Sequence, residues 1–386
     1  MIKRHISKAV RDLAKGYPAI AITGPRQSGK TTLAKMLFPN KTYVSLEDPD
    51  ILMLAREDPR KFLHAHDKGA ILDEVQRCPE LFSYLQGILD ESSQMGRFIL
   101  TGSQQLGFHS GITQSLAGRV ALVQLLPFTY GEVYSHPQAL DPVMYRGLYP
   151  PIHDRNLNPS AWFSNYMNTY IERDVRQMLN IRDLRTFQRF VRLCAGRTGQ
   201  LLNLSGLATD AGITHNTAKS WISILEASYL IFLLQPHFRN FNKRIIKSPK
   251  LYFYDSGLAA WLLNIREVEQ LESHPLRGNL FEGWVISEFV KMQFNMGLQS
   301  NLYFWRDHKG HEVDVLFEKA DELIPLEIKS GQTLNSDFFK GLDFWQKCSG
   351  IENQDSWLVY GGEKARLRRN TRVISWMDLH ELKEYL

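Results

Sequence analysis

The stretch GPRQSGKT, residues Gly24–Thr31, decides the fold of this chain because it has the GxxxxGK[ST] spacing of a phosphate-binding loop (P-loop). Its glycines let the backbone curl so that successive N–H groups face a phosphate, and the next helix adds partial positive charge. We expect Lys30 to reach the β- and γ-phosphates of ATP and the Thr31 hydroxyl to bind Mg²⁺. The residues predicted to contact the nucleotide are Gly24, Pro25, Arg26, Gln27, Ser28, Gly29, Lys30, Thr31 and Thr32.

Short apolar segments around this loop alternate with helical patterns. A strand is predicted at Ala19–Thr23, directly before the loop, and a helix at Thr31–Phe38. Further strands are predicted at Thr42–Leu46, Ala70–Asp73 and Phe98–Thr101. Strands separated by helices form a parallel sheet, which binds ligands at the carboxyl ends of its strands. A βα turn without a ligand is the alternative, and the loop spacing argues against it.

An acidic pair ends the third of these strands and forms a Walker B pattern, an apolar strand followed by Asp and Glu. Asp73 is predicted to hold the Mg²⁺ shell, and Glu74 to orient or deprotonate the attacking water. A solvated acidic turn is the alternative. The position of the pair, ~40 residues after the loop, favours the catalytic interpretation.

Two further segments carry candidate catalytic groups. The strand FILTGSQ, residues 98–104, ends in Thr101 and Ser103, and either is a candidate to contact the γ-phosphate or the water. A helix N-cap explains these residues almost as well. The segment SLAGR, residues 115–119, supplies Arg119 after a glycine turn. Arg119 is a candidate arginine finger for this subunit or a neighbouring one, although its spacing alone favours an ordinary surface arginine.

The composition is that of a globular protein, with 44% hydrophobic and 23% charged residues in 386. The net charge of +5 is too small to prove a nucleic-acid partner. Cys78, Cys194 and Cys348 stand far apart, which argues against disulfides and cysteine zinc sites. No apolar run approaches the ~20 residues that span a bilayer, and the basic N-terminal stretch lacks the apolar centre of a signal peptide. We therefore expect a soluble, cytoplasmic protein with no membrane partner.

A helix–turn–helix pattern occupies the middle of the chain. The helices Leu204–Ala211 and Thr214–Glu226 are joined through Gly212, and the second has one apolar face. Two strand candidates follow, and the stretch RNFNKRIIKSPK, residues 239–250, lies between them with five basic residues and no acidic one. DNA docking, with the second helix in a groove and this stretch on phosphates, and a purely structural module are equally good interpretations. The residues of the second helix predicted to face outward are His215, Asn216, Lys219 and Ser220.

Near the C-terminus, strand alternation places acidic groups on one side of a predicted hairpin. In the segment EVDVLF, Asp314 lies on the face opposite to the valines, and in PLEIK, Glu327 and Lys329 share one face. A hairpin therefore brings these three side chains together, and Glu282 lies near the buried edge of the preceding helix. Carboxylates are hard oxygen ligands for Mg²⁺. A polar sheet face without a metal is the alternative.

The segments TGPRQSGKTTL, ILDEVQ, FILTGS and SLAGRV, in this order, make the chain resemble the AAA-type ATPases of bacteria and archaea that carry a C-terminal nuclease-like domain. The resemblance extends over nearly the whole chain. The recurrence of SLAGR in such proteins favours Arg119 as a catalytic residue. The C-terminal pattern is similar to that of restriction-endonuclease-like nucleases, which implies that Glu282, Asp314 and Glu327 hold Mg²⁺ and that Lys329 is catalytic.

The predicted fold class is therefore α/β: a P-loop NTPase parallel sheet with a helical lid, a winged helix, and a mixed α/β restriction-endonuclease-like domain. The predicted boundaries are 1–135 for the ATPase core, 136–195 for the proline-rich and helical lid, 196–262 for the winged helix and 263–386 for the last domain. We expect ATP hydrolysis with Mg²⁺, coupled to DNA binding or processing, in a homo-oligomer where Arg119 acts in trans. The alternatives are an ATP-driven switch whose last two domains only bind a protein or nucleic acid, and a chaperone-like or defence regulator without a nuclease step.

Overall fold

A computed structural model describes residues 2–91, 94–103, 116–170, 184–238, 246–320, 322–350, 355–368 and 370–386. The chain divides into two compact units, each treated separately below. The first unit consists of Met1–Phe128, Ala227–Tyr229 and Gln293–Gln299. The second unit consists of Thr129–Glu226, Leu230–Met292 and Ser300–Leu386.

A parallel sheet forms the centre of the first unit. Its strands are β1 (Ala19–Thr23), β2 (Thr42–Ser45), β3 (Ala70–Asp73), β4 (Phe98–Gly102) and β5 (Val120–Gln124). The strands are parallel in the order β2-β3-β4-β1-β5, so β1 lies between β4 and β5. This arrangement confirms the predicted P-loop type of α/β sheet; β5 is not among the strands predicted from the sequence.

Helices cover both faces of this sheet. They are α1 (Ser7–Leu13), α2 (Lys30–Leu37), α3 (Pro49–Glu57), α4 (Pro59–His64) and α5 (Glu80–Asp90), with a short 3-10 helix at Val75–Arg77. Helices α3 and α4 begin at an Asp-Pro pair, because the aspartate accepts a backbone N–H of the first turn and proline tolerates the first helical position.

Alternate residues of β1 enter two separate cores. Ala19 and Ala21 pack with the cluster that includes α5, whereas Ile20 and Ile22 pack with the cluster that includes α1 and α2. All five residues of β1 are buried. A strand that is covered on both faces reads as a continuous apolar run, which is why AIAIT shows no polar alternation.

The second unit begins with helices that precede a small antiparallel sheet. The helices are α6 (Tyr130–Val133), α7 (Leu140–Arg146), α8 (Pro150–Asp154), α9 (Pro159–Tyr170), α10 (Leu184–Ala195), α11 (Leu204–Ala211) and α12 (His215–Ala227). The sheet contains β6 (Gln200–Leu201), β7 (Ile231–Leu234) and β8 (Lys250–Phe253) in the order β6-β8-β7. Gly212, at φ 71°, ends α11 in the left-handed conformation and makes the turn into α12.

A mixed sheet of six strands forms the rest of the second unit. Its order is β13-β14-β12-β11-β10-β9. The strands are β9 (Leu302–Arg306), β10 (Glu312–Lys319), β11 (Glu322–Lys329), β12 (Ser356–Tyr360), β13 (Arg366–Arg368) and β14 (Thr371–Ser375). The helices are α13 (Ser256–Leu262), α14 (Val268–Glu272), α15 (Arg277–Asn295) and α16 (Lys340–Ser349), with 3-10 helices at Ser336–Phe339 and Leu379–Tyr385. The last residues of α15, from Gln293 onward, belong to the first unit. The antiparallel pairing of β10 with β11 is the hairpin predicted from the sequence.

The segment predicted as a lid belongs to the second unit. Asp141 of α7 accepts two hydrogen bonds from the Arg277 guanidinium of α15, at 2.6 and 2.9 Å. The predicted domain boundaries remain predictions. Among the described helices, none is long and apolar enough to cross a membrane.

Candidate functional site

The P-loop joins β1 to α2 and is shaped by its two glycines. Gly24 and Gly29 have φ values of 149° and 92°, which favour glycine. A methyl group on Gly24 would lie 2.1 Å from the carbonyl oxygen of Leu125, so this position has no room for a side chain. The Lys30 ammonium donates to the carbonyl oxygens of Gly24 and Pro25, at 3.0 and 2.8 Å. Within the described residues, the buried hydroxyl of Ser28 has no hydrogen-bond partner. The loop therefore offers a curled backbone, an ammonium group and a spare hydroxyl to an anionic ligand.

Three hydroxyl groups converge on the carboxylate of Asp73, the last residue of β3. Thr31 lies 3.0 Å from both carboxylate oxygens, and the Tyr43 hydroxyl lies 2.8 Å from Oδ2. Thr101 of β4 donates to Oδ1. A threonine hydroxyl and a carboxylate are both hard oxygen donors, which are the ligands that Mg²⁺ prefers. The role of Thr31 and Asp73 as Mg²⁺ ligands stays a prediction.

Glu74 stands in the left-handed conformation, at φ 55°, immediately after β3. The Ser103 hydroxyl donates to Glu74 Oε2 at 3.1 Å, and the Gln76 amide donates to the same oxygen. Thr101 and Ser103, between which the sequence could not choose, therefore bind different carboxylates: Thr101 binds Asp73, and Ser103 binds Glu74. The geometry makes Ser103 the partner of the predicted water-activating residue.

Arg4 and Tyr43 contribute to this site although the sequence pattern did not single them out. The buried Arg4 guanidinium donates to the carbonyl oxygens of Ser28 and Leu126, at 2.8 and 2.7 Å. Burial, and then the hydrogen bond to Asp73, raise the pKa of Tyr43 to about 12, so its hydroxyl remains a donor at neutral pH. No sequence spacing identifies either residue, because each contacts the site only when separate elements of the chain pack together.

Arg119 lies at the opposite end of the sheet from the P-loop. Its backbone carbonyl accepts from the N–H of Ala19, the first residue of β1, whereas the P-loop follows the last residue of β1. Five residues of extended strand span about 16 Å. The partly exposed guanidinium forms a bidentate ion pair with Asp90, with one N–O distance of 2.8 Å. This position does not favour an arginine finger for its own subunit, and a catalytic role of Arg119, in its own subunit or in trans, stays a prediction.

The hairpin of β10 and β11 brings the predicted C-terminal residues together. The register pairs Val315 with Leu326, which places Asp314 opposite Glu327. Lys329 Nζ donates to Asp314 Oδ2 at 3.0 Å and to a carboxylate oxygen of Glu327. The other side of the Glu327 carboxylate faces α16, where a methyl group on Gly341 would lie 1.9 Å from Oε1.

Glu282 of α15 completes this carboxylate cluster together with Glu312, which the sequence analysis did not assign to the metal. One oxygen each from Glu282, Glu312 and Asp314 lies within 4.8 Å of the others, a spacing that a single cation can bridge. Glu327, which the family resemblance assigned to the metal, is not in this group, and its role as a ligand remains a prediction. The cluster also contains Lys250, whose ammonium donates to Glu282 at 2.9 Å and to Glu312.

The charges in this cluster shift the pKa values in opposite directions. Burial raises the pKa of Asp314, but the ammonium groups of Lys329 and Lys250 outweigh burial and lower it to about 2. Burial, reinforced by the charge of Asp314, raises the pKa of Glu327 well above its ordinary value. Burial also raises the pKa of Glu282, against the opposing charge of Lys250. Neighbouring carboxyl groups with divergent pKa values are typical of catalytic and metal sites.

The helix–turn–helix presents the polar surface that the sequence predicts. Trp221 of α12 packs edge-on against Phe187 and Phe190 of α10. In the basic stretch, residues 239–245 lie outside the described residues. Lys250 is buried, so it does not belong to a solvated basic surface, which corrects the sequence interpretation of that stretch. The predicted outward residues of α12, all of them exposed, are His215, Asn216, Lys219 and Ser220.

Three family matches follow one another along the chain. Residues 16–134 match the AAA domain family, which supports ATP binding and hydrolysis. Residues 137–269 match a domain of unknown function, DUF8612. Residues 277–379 match another domain of unknown function, DUF4143.

Among curated proteins, the uncharacterized protein Rv2008c of Mycobacterium tuberculosis is 32% identical over 337 residues, covering 86% of this chain and 74% of that protein. The uncharacterized protein Mb2031c of Mycobacterium bovis matches with the same values. Among solved structures, the Walker-type ATPase PABY2304 of Pyrococcus abyssi has a TM-score of 0.41 at 13% identity, covering 67% of this chain and 94% of that one. AMPPCP-bound DnaA from Aquifex aeolicus has a TM-score of 0.29 at 13% identity, covering 57% and 85%. The identity across most of both sequences shows that this chain belongs to the family of AAA-domain proteins that includes Rv2008c and Mb2031c.

Proposed function

We propose that this AAA-type ATPase uses ATP to control the binding or processing of DNA, and that its C-terminal site cleaves a phosphodiester with Mg²⁺. The second half of this proposal rests on the close approach of Asp314, Glu327 and Lys329, with Glu282 beside Asp314, at one partly buried site. Carboxylates beside a lysine, with divergent pKa values, are the groups that metal-dependent phosphodiester hydrolysis requires.

At the P-loop, each predicted residue has a distinct role. Lys30 binds the β- and γ-phosphates, which replace the loop carbonyls as partners of its ammonium group. Thr31 and Asp73 hold the Mg²⁺ ion. Glu74 orients the attacking water, and Ser103 positions the Glu74 carboxylate.

At the C-terminal site, Glu282, Glu312 and Asp314 would hold Mg²⁺, since one oxygen of each lies within 4.8 Å of the others. Glu327 is proposed as a further ligand beside them. When bound, the ion activates a water molecule and neutralises the charge that develops on the phosphate. The Lys329 ammonium lies beside Asp314 and is positioned to stabilise a phosphate oxygen.

DNA binding is proposed for the exposed face of α12. Lys219 and the polar residues around it are exposed and suit contacts with phosphates and base edges. If Lys219→Glu leaves DNA binding unchanged, α12 is not the DNA-binding element.

Purified full-length protein tests both activities in parallel, by phosphate release and by Mg²⁺-dependent cleavage of DNA. Lys30→Ala should abolish nucleotide binding or turnover, and Glu74→Gln should preserve binding but stop hydrolysis. Asp314→Asn and Lys329→Ala should each abolish DNA cleavage, whereas Lys347→Ala, an exposed lysine of α16, should not. Cleavage that persists in Asp314→Asn would remove the proposed nuclease site, and unchanged turnover in Lys30→Ala would remove the ATPase site.

Action of Arg119 on a neighbouring subunit is proposed because the residue is partly exposed and far from its own P-loop. Arg119→Ala retains an intact P-loop, and Lys30→Ala retains an intact arginine. If the arginine acts in trans, a mixture of these two inactive variants should recover ATPase activity in mixed oligomers. Recovery in the mixture supports the proposal, and its absence from co-assembled oligomers contradicts it.

A regulatory switch without cleavage is the second candidate. It is favoured by Lys250, because its ammonium group forms ion pairs with Glu282 and Glu312, two of the candidate metal ligands. This candidate predicts ATP-dependent DNA or protein binding by full-length protein, with no cleavage of any DNA at any Mg²⁺ concentration.

A further inference from the structure

Lys250 is a buried cation in the middle of the candidate metal site. It is the first residue of β8, and 2% of its surface is exposed. Its ammonium donates to Glu282 Oε1 at 2.9 Å and to Glu312 Oε1. Burying an ammonium group is unfavourable unless carboxylates neutralise it, so this position depends on these two partners.

The carboxylates that hold Lys250 are also those that approach one another closely enough to hold a metal ion. Glu282 and Glu312 provide two of the three oxygens that lie within 4.8 Å of each other, and Asp314 provides the third. A bound Mg²⁺ ion requires oxygen ligands at about 2.0–2.1 Å. The ammonium group and the ion would therefore compete for the same oxygens.

Among the described residues, two more cationic side chains contact the carboxylates of this cluster. Lys329 pairs with Asp314 at 3.0 Å, and Arg306 pairs with Glu312 at 3.0 Å. Arg306 contacts Oε2 of Glu312, so it does not occupy the other oxygen, Oε1. Lys250 is the cation that occupies Oε1. Within the part of the chain that the structure describes, Lys250 is thus the cation that contacts both Glu282 and Glu312.

We propose that Lys250 is an internal competitor that sets the affinity of the C-terminal site for divalent metal ions. A metal ion binds Glu282, Glu312 and Asp314 when the ammonium group withdraws, so the position of β8 governs the loading of the site. This inference rests on the metal site of the proposed function, but it does not require that the site cleave DNA.

The test measures Mn²⁺ affinity by calorimetry on full-length, nucleotide-free protein. Every variant carries Asp73→Asn, which removes the metal site at the P-loop. Lys250→Met should bind Mn²⁺ at least about tenfold more tightly than the parent. Lys247→Met, an exposed lysine in the same stretch, should match the parent, and Glu282→Gln should abolish the binding. Unchanged or weaker binding by Lys250→Met would show that the lysine holds the ligands in place rather than competing for them, and would overturn the proposal.

Two further measurements keep the result interpretable. Lys250→Arg retains the positive charge and should retain the weak affinity for Mn²⁺; tight Mn²⁺ binding by this variant would contradict competition by charge.

Lys250→Met leaves buried carboxylates unpaired, so this variant should melt at a lower temperature in EDTA. Its melting temperature should rise more than that of the parent when Mn²⁺ is added. Tighter metal binding without DNA cleavage would support the competitor and refute the nuclease. If Lys250→Met shows neither Mn²⁺ binding nor thermal recovery, the metal site itself is wrong.

Discussion

Replacing Arg4 with methionine should weaken ATP binding although Arg4 is not predicted to contact the nucleotide. Only 6% of the surface of Arg4 is exposed. Its guanidinium donates to the carbonyl oxygens of Ser28 and Leu126, at 2.8 and 2.7 Å. It also lies 4.7 Å from the centre of the Phe128 ring. A hydrogen bond to a charged group contributes about 1.5–3 kcal/mol, and a desolvated cation–π contact about 2 kcal/mol. Because these contributions are not additive, we expect Arg4→Met to lose about 3 kcal/mol of local stability.

The Ser28 carbonyl belongs to the P-loop, so part of this loss should appear in nucleotide affinity. If about half of this loss of about 3 kcal/mol is needed to reorder the loop around the phosphates, the dissociation constant of ATP rises about tenfold. The assay is titration with a fluorescent ATP analogue, accompanied by hydrogen exchange across Gly24–Lys30. Arg11→Met, which removes an exposed arginine from α1, is the matched control. Equal affinities and equal exchange in the two variants would refute a role for Arg4 in ordering the loop.

Three other substitutions test the remaining geometry. Ser103→Ala removes the hydroxyl that binds the predicted water-activating carboxylate, and should lower the ATP turnover number about tenfold while leaving ATP affinity unchanged; a loss of affinity would contradict this role. Gly341→Ala puts a methyl group 1.9 Å from the Glu327 carboxylate and should destabilise the second unit by about 1–3 kcal/mol in denaturant unfolding, whereas Gly278→Ala, which meets no close neighbour, should not. Burial raises the pKa of Glu226 from 4.5 to about 7 in the folded protein. Between these two pH values the folded state holds a proton that the unfolded chain has lost, so the free energy of unfolding falls as the pH rises, and this contribution is gone above about pH 7. Glu226→Gln should therefore raise the melting temperature at about pH 8 and leave it unchanged at about pH 4, and equal effects at both pH values would contradict the raised pKa.

Strand and helix positions near the P-loop were predictable because they depend on local patterns. The predicted strands Ala19–Thr23 and Ala70–Asp73 match the observed ones, and the predicted helix at Thr31–Phe38 is observed at Lys30–Leu37. The strand β5 was missed although it lies beside β1 in the sheet. Its residues are alternately buried and half-buried, which weakens the signal of a fully buried strand.

The C-terminal site was predictable to the extent that strand alternation specifies faces. Alternation placed Asp314 on one side of β10, and Glu327 with Lys329 on one side of β11, and the hairpin register brought them together. Glu282 lies on a helix, and the sequence could say only that it sits near a buried edge. Its actual position depends on how α15 packs, which no periodicity specifies.

The P-loop, the Asp73–Glu74 pair and the ordered carboxylates and lysine of the last domain were determined by the sequence alone. Each of these features is a spacing between residues that one strand, one turn or one hairpin can satisfy. Only the tertiary structure shows that Arg4 donates to the carbonyl oxygens of Ser28 and Leu126, which lie 24 and 122 residues further along the chain. The same is true of Lys250, which contacts Glu282 and Glu312 from 32 and 62 residues away. Such contacts arise when separate elements pack together, so Lys250, which the sequence shows only as part of a basic stretch, becomes a buried cation in the fold.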